Sequence, residues 1–284
     1  MPKTIGNPLS WMLGAVGSAA GYAQTAVSPS AADPGVMPET RDLAMADLRH
    51  ALRKGWEDMA AFRSDVVFVC LLYPVIGGLL LALAAEGSSL HLLFPVLSGF
   101  ALTGPVAALG LYEMSRRREA GEPTNWLALF DVMKSPRFGR ILTLSLFNVV
   151  IFLVWIMLAD LIFGMTFGPE VPRSLSAFLG EVLTTPAGWA LIVIGSGVGF
   201  GLALVVLAVG VVSFPLLLDR DVSLPVAVMT SVRVSRRNPL VIGAWGLIVA
   251  GSLAVGTLPA LLGLVLALPL LGHATWHLYR AAVV

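Results

Sequence analysis

The chain has 284 residues, of which 57% are hydrophobic and only 12% are charged, and its mean hydropathy is +0.87. Soluble domains carry about 25% charged residues, so this composition excludes an ordinary water-soluble fold and indicates an integral membrane protein. The net charge of +1 gives no indication of nucleic-acid binding. The single cysteine, Cys70, excludes an intramolecular disulfide and a cysteine-based metal cluster.

The basic residues are segregated along the chain. Every Lys and Arg except Arg173 lies in one of four clusters, and long apolar stretches separate these clusters. Because cytoplasmic loops of membrane proteins are enriched in basic residues, the clusters mark the cytoplasmic side, and both termini are predicted to lie there. Residues 1–40, rich in Ala, Gly, Ser and Pro, are predicted to form a flexible tail and not a signal peptide, since export would carry Arg41 and its basic neighbours outside.

The apolar stretches predict six spans in a helical membrane domain of residues 41–284. A helix that crosses about 30 Å of hydrocarbon needs about 20 apolar residues. The predicted spans are at about 66–85, 92–112, 141–163, 189–218, 240–257 and 259–278. The last two are separated by the turn Gly256-Thr257-Leu258-Pro259. The fold class predicted is therefore all-α, a polytopic membrane protein whose six transmembrane helices form three hairpins.

A basic amphipathic segment precedes each hairpin. Before the first, Met45, Leu48, Leu52, Trp56 and Met59 recur at steps of three and four, which predicts a helix with one apolar stripe in the cytoplasmic interface. Shorter stripes precede the other two hairpins: Trp126, Phe130 and Met133 before the second, and Leu224, Val228 and Val232 before the third. Each outgoing helix contains a proline, namely Pro105, Pro215 and Pro269. Three copies of one unit explain this pattern; features common to membrane proteins in general are the alternative.

His273 and His277 are the most prominent pair of potential ligands. Their spacing of four places both imidazoles on one helix face, as a metal site requires, and a haem would need one axial histidine. They also lie at the cytoplasmic end of the last span, where His, Trp and Tyr anchor helices at headgroup level. We interpret the two histidines as such an anchor of the last span. A metal, haem or pH-sensing role is the alternative, and neither a cofactor nor a metal is predicted.

Two polar residues lie within the predicted third span. Asn148 and Asp160 form a possible polar intramembrane site, because ionisable and amide groups inside a span often serve transport. The ordinary alternatives are an interhelical hydrogen bond for Asn148 and contact with the membrane surface for Asp160. Gly104 and Pro105 are predicted to break the second span. The glycine-rich run from Gly195 to Gly201 is interpreted as a helix-packing face and not as a nucleotide loop.

Four stretches together resemble a known family. They are Gly55-Trp56-Glu57-Asp58, Gly99-Phe100-Ala101-Leu102-Thr103-Gly104-Pro105, Gly110-Leu111-Tyr112-Glu113-Met114-Ser115-Arg116-Arg117 and Leu271-Gly272-His273-Ala274-Thr275-Trp276-His277-Leu278-Tyr279-Arg280. In these stretches the chain resembles the bacterial family called domain of unknown function 2189, over roughly residues 41–282. The resemblance implies a bacterial cytoplasmic membrane and no assigned activity. Some relatives carry a cytochrome c oxidase subunit I label, which four histidines in total do not support.

No sequence pattern of a catalytic site is present: neither a Ser-His-Asp arrangement, nor paired catalytic carboxylates, nor His-Glu-x-x-His. An enzyme is therefore not predicted. The sequence favours a structural, assembly or partner-binding component of the inner membrane, whose partners are the lipid bilayer and a membrane protein or a second copy of the chain. A small-solute or ion transporter built from repeated hairpins is the alternative. A haem- or metal-binding respiratory accessory protein is a weaker one.

Overall fold

The computed structural model describes residues 36–61, 75–79, 82, 87–102, 104–124, 131–133, 135–168, 174–258 and 261–284. Within these residues the fold is all-helical, apart from one isolated antiparallel bridge between Thr40 and Val283. The principal helices are α1 Met45–Ala61, the 3-10 helix Gly87–Leu92, α2 Leu93–Leu102, α3 Gly104–Ala107, α4 Leu109–Glu119, α5 Phe138–Phe167, α6 Leu175–Thr184, α7 Pro186–Asp219, α8 Leu224–Arg237, α9 Pro239–Thr257 and α10 Leu264–Ala282. Most of the predicted span 66–85, residues 1–35 of the predicted tail, Cys70, Trp126 and Phe130 lie outside the described residues.

Three of the described helices are long and apolar enough to cross a membrane. These are α5, α7 and α9, and they contain the predicted spans 141–163, 189–218 and 240–257. Leu90–Gly99 and Leu175–Thr184 are shorter apolar helices. The boundaries have local causes: α7 begins where the Thr185 side chain accepts a hydrogen bond from the Gly188 amide, and α5 ends at Gly168, whose φ of 82° favours glycine.

The predicted last turn lies at the end of α9. The helix ends at Thr257, and α10 begins at Leu264 after Leu261, which has a φ of 68°. Gly256 and Gly263 let the two helices meet here, since a Cβ added at Gly263 would lie 2.7 Å from the Gly256 Cα. Helix α10 covers most of the predicted span 259–278, but its second half is polar and well buried.

The predicted span 92–112 is divided into short helices. Helix α2 ends at Leu102, α3 begins at Gly104, and α4 follows after Ala108. The short helix α3 lies beside α7. A Cβ added at Gly210 of α7 would contact Pro105 of α3 as well as Phe214 of α7. Helix α4 then extends to Glu119, well beyond the predicted end of the span, and brings three arginines with it.

The centre of the fold is formed by α4, α7 and α10, which contact one another. Their largest side chains, including Tyr112, Phe214, Trp276 and Tyr279, are fully buried. Helix α1 packs on α10, and α8 packs on α7. Where α8 meets α7, the Ser231 hydroxyl accepts a hydrogen bond from the Val212 amide and donates one to the Ala208 carbonyl. In a regular α-helix this amide and this carbonyl would bond directly to each other.

The apolar stripe predicted for α1 coincides only in part with the face that packs within the chain, since Leu48 is buried and Leu52 packs on the core. The buried residues of α1 are Leu48, Ala51, Gly55 and Asp58. Met45 and Trp56, which the prediction placed on the same stripe as Leu48, are 45% and 58% exposed. A Cβ added at Gly55 would lie 2.6 Å from the backbone nitrogen of Ala274, so α1 approaches α10 through small residues.

The glycine-rich run of α7 packs at one position only among those described. Gly199 faces the Trp155 ring, where an added Cβ would lie 3.1 Å from the nearest ring carbon. Gly195, Gly197 and Gly201 have open space beside them. The predicted role in close helix packing within the chain therefore applies to Gly199 and not to the other three.

Candidate functional site: a polar junction of three helices

A polar cleft of about 430 Å³ opens where α1, α4 and α10 meet. It lies at the end of these helices that carries basic residues, including Arg118 of α4 and Arg280 of α10. Charged and titratable side chains line it, among them Arg41, Asp47, His50, Lys54 and Glu57. At the bottom of the cleft these exposed groups give way to a buried polar cluster.

The carboxylate of Asp58 is the centre of that cluster. Its Oδ2 accepts hydrogen bonds from the Ser115 hydroxyl at 2.6 Å and from His277 Nε2 at 2.8 Å. Its Oδ1 accepts one from Arg118 at 2.8 Å. Asp58 is only 4% exposed, and burial alone would raise its pKa. The hydrogen bonds from His277 and Ser115 outweigh burial, so the pKa of Asp58 is lowered and the carboxylate stays charged.

His273 joins the cluster through Ser115. The Ser115 hydroxyl has one hydrogen, which it donates to Asp58, so it accepts a hydrogen bond from His273 Nδ1 at 2.8 Å. His273 is completely buried. Asp58, Ser115, His273, His277 and Arg118 therefore form one connected network, which we call the polar junction.

The rim of the polar junction ties α10 to α4 and α7. Glu119 accepts hydrogen bonds from the Trp276 indole at 3.0 Å and from Arg280 at 3.1 Å. The Tyr279 hydroxyl donates to Asp219 at 2.7 Å. Trp276, Tyr279 and Arg280 at the end of α10 thus each bond to another helix, which explains why this part of α10 is buried although it is polar.

A second buried carboxylate lies nearby on α4. Glu113 is 4% exposed and accepts hydrogen bonds from Arg116 at 2.8 Å and from Arg117 at 2.7 Å. Burial raises the pKa of this carboxyl, but the two arginines outweigh burial and hold its pKa below the usual range. Arg117 also binds Asp131 at 3.0 Å. Glu113 thus pairs with arginines three and four residues further along the same helix.

The polar junction contains the residue types of a catalytic triad in a different order. In a nucleophilic triad the histidine lies between serine and carboxylate and takes the serine proton. Here the Ser115 hydroxyl donates directly to Asp58, and Ser115 is 1% exposed. The hydroxyl hydrogen of Ser115 is thus held by a carboxylate and not by a histidine base. The cluster therefore has the geometry of a structural network, although the sequence pattern gave no sign that these residues would meet.

His273 and His277 are brought together indirectly, through Ser115 and Asp58. Within the part of the chain that the structure describes, no group of three or more His, Cys, Asp or Glu side chains could hold a metal ion. His277 is one helical turn beyond His273 and faces the cleft. The pair thus joins helices to one another, a role close to the anchor predicted from the sequence but directed at protein groups.

Asn148 and Asp160 do not form a common site. They are twelve residues apart on α5, which is about 18 Å along a helix. Asn148 is completely buried. Asp160 accepts a hydrogen bond from His91 Nε2 at 2.8 Å, and the His91 ring stacks on Phe163 at 4.2 Å. His91, which the sequence offered no reason to select, is therefore the partner of Asp160.

Asp58 and Ser115 are the functional candidates that sequence reasoning missed. One signal was available for Asp58: it shares the line of small residues Ala51 and Gly55 on α1 and not the charged face. An acidic residue on a packing face is expected to have a buried partner. No comparable signal exists for Ser115, because serine is common in membrane helices.

A comparison with known protein families finds a match for the central part of the chain. Residues 93–219 match the model of domain of unknown function 2189, which is described as a predicted integral membrane protein. No curated protein and no solved structure matches the chain. The stretches Gly99–Pro105 and Gly110–Arg117 lie inside the matched residues, whereas Gly55–Asp58 and Leu271–Arg280 lie outside them. The resemblance is confirmed over residues 93–219, the part of the chain that matches this family of predicted integral membrane proteins.

Proposed function

We propose that this protein is a six-span component of the bacterial inner membrane, with both termini in the cytoplasm, whose role is structural, in assembly or in binding a partner protein. The observation that carries the proposal is the polar junction. Its buried groups bind one another across three helices, as in a rigid platform. The cleft above it opens on one side and ends at this network, which suits docking and not passage of a solute.

The contacts between helices support the proposed three hairpins. Helix α1 packs on α10, and α8 packs on α7. Asp131, in the segment before the second hairpin, binds Arg117 on α4. Each amphipathic segment thus contacts the outgoing helix of the unit before it, and the segment of the first unit contacts the outgoing helix of the last unit. Rotation of one unit about an axis along the membrane normal would produce this pattern.

The topology can be tested by cysteine labelling in a Cys70→Ala background. Glu122→Cys, after α4, is expected to react with a membrane-impermeant thiol reagent only after cells are permeabilised. Ser174→Cys, before α6, is expected to react in intact spheroplasts. Labelling of both positions from the same side would contradict the single proposed span, 141–163, between them.

Partner binding can be tested with a photo-crosslinking amino acid at His50, which is exposed on the rim of the cleft. The expected result in whole cells is a protein adduct of discrete mass. The same group at Val255, an exposed apolar position on α9, is the control and is expected to yield no such adduct. Equal yields at both positions, or none at His50, would contradict a docking role for the cleft.

The transport alternative receives less support, because Asn148 is buried and Asp160 meets His91. We expect Asn148→Cys, in the Cys70→Ala background, to resist small water-soluble thiol reagents from either side of the membrane. Ser174→Cys supplies the reactive control. Rapid labelling of Asn148→Cys would show a water-filled path at this depth and would favour a transporter.

A further inference from the structure

The outward faces of α1 and α8 share a pattern that packing within the chain does not explain. On α1 the exposed residues Met45, Arg49 and Trp56 recur at steps of four and seven, so they lie on one face. On α8 the exposed residues Met229 and Arg236 are seven apart and likewise share a face. Met45, Trp56 and Met229 are 45%, 58% and 57% exposed. We call these two faces the outer stripes.

The arginines of the outer stripes differ from most other basic residues. Arg116, Arg117, Arg118, Arg140, Arg237 and Arg280 each have an acidic partner within 4 Å. Arg49 and Arg236 have no acidic partner among the described residues. Both therefore carry an uncompensated positive charge beside exposed apolar side chains.

We propose that the outer stripes of α1 and α8 bind anionic phospholipid headgroups of the cytoplasmic leaflet. The inference rests on the proposed topology, which places both helices at that leaflet. An unpaired arginine attracts the phosphate of an acidic lipid, and Trp56 and Met229 are the kinds of side chain that enter the boundary between headgroups and acyl chains. A single face that carries both exposed apolar and unpaired basic groups matches a lipid surface, which offers apolar acyl chains and negatively charged headgroups.

The buried faces of the same helices leave the outer stripes free for this role. Helix α1 is held to α10 by Gly55 and Asp58 on its other side. Helix α8 is held to α7 by Ser231, which is buried. Removing an outer arginine therefore changes the surface without disturbing the contacts that hold either helix in place.

The proposal is tested by lipid binding to the purified full-length protein in a neutral detergent. Native mass spectrometry measures the affinities of phosphatidylglycerol and phosphatidylcholine. An arginine near an anionic membrane surface contributes about 1 kcal/mol, so Arg49→Gln and Arg236→Gln are each expected to lower the preference for phosphatidylglycerol about fivefold.

The matched controls remove one positive charge from the same helices. Lys54→Gln on α1 removes a cation that faces the cleft and pairs with Glu57 at 2.9 Å. Arg237→Gln on α8 removes a cation that pairs with Asp42. Both are expected to change the lipid preference less than about twofold. Equal effects in test and control variants would overturn the proposal, because the preference would then follow net charge alone.

Fluorescence quenching in vesicles of phosphatidylcholine and phosphatidylglycerol is the second readout. The contribution of Trp56 is the difference between the natural protein and Trp56→Phe. It is expected to be quenched by lipids brominated near the headgroup end of the acyl chain and protected from aqueous iodide. Quenching by iodide alone would mean that water and not lipid faces the stripe, and would overturn the proposal. Cysteine labelling tests the topology independently, so the two failures are distinguishable.

Discussion

The polar junction makes a quantitative prediction for Asp58→Asn. Asparagine keeps the shape of the side chain but replaces one acceptor oxygen with a donor NH₂ group. The remaining oxygen can accept the hydrogen bond from Arg118, while the amide faces Ser115 and His277, which are both donors. The substitution therefore removes two hydrogen bonds to a buried charge and leaves donors opposed to donors.

The expected loss follows from the environment of each partner. Hydrogen bonds to charged groups contribute roughly 1.5–3 kcal/mol each. His277 and Asp58 have side chains only 15% and 6% exposed, so solvent screens this pair little. The Arg118 side chain is 40% exposed, and its bond is worth at most about 1 kcal/mol. The predicted loss for Asp58→Asn is about 3 kcal/mol, or a decrease of about 6 °C in Tm.

Thermal unfolding in detergent, followed by tryptophan fluorescence, measures this loss. The control is Glu57→Gln, the adjacent residue, whose pair with Lys54 is exposed on both sides, so solvent screens the pair and its loss is expected to change Tm little. A double-mutant cycle with His277→Gln should give a coupling energy of about 1–2 kcal/mol. If Asp58→Asn unfolds within 1 °C of Glu57→Gln, the polar junction does not hold these helices together.

Three further predictions concern other contacts. Gly55→Ala should cost about 1–3 kcal/mol, because its Cβ would meet the backbone of α10 at 2.6 Å; Gly251→Ala, with open space beside it, should be neutral or stabilising in the same melting assay. The Glu113 pKa is lowered in the folded state, so its stabilisation is present above its ordinary pKa and is lost as pH falls through the folded pKa. The Tm difference between Glu113→Gln and the natural protein should therefore be largest near pH 7 and shrink as the pH falls below the ordinary range of a glutamate; a constant difference would contradict this. Ser231→Ala should cost about 1–2 kcal/mol, since it leaves the buried contact between α8 and α7 without its hydroxyl, and Ser196→Ala, at an exposed position of α7, is the control for melting.

The long helices could be predicted because their signal is local. The spans at 141–163, 189–218 and 240–257 lie within α5, α7 and α9, since an apolar run longer than about 20 residues has few other solutions. Over the predicted span 92–112 the structure has the helices α2, α3 and α4 in place of one continuous helix. Gly104 and Pro105 indicated a break, but the number of pieces depends on neighbouring helices.

The face of α1 could not be predicted by its apolar period, for a physical reason. An apolar stripe indicates the buried face when the other side meets water. Met45 and Trp56 are apolar and exposed, while Gly55 and Asp58 are buried. Close approach of two helices favours small residues and not large ones. Apolar residues thus lie on both the buried and the exposed side of the helix, and periodicity alone does not separate the two sides.

The polar junction also explains how helices of such uniform composition find defined neighbours. Lipid solvates an apolar helix face about as well as another apolar helix does, so apolar contact alone discriminates weakly between partners. Asp58 discriminates strongly, because separating a buried carboxylate from its donors costs several kcal/mol. Its donors lie on α4 and α10, 57 and 219 residues along the chain. No local pattern can encode such a pairing, yet the few polar residues of an apolar chain are the ones able to specify it.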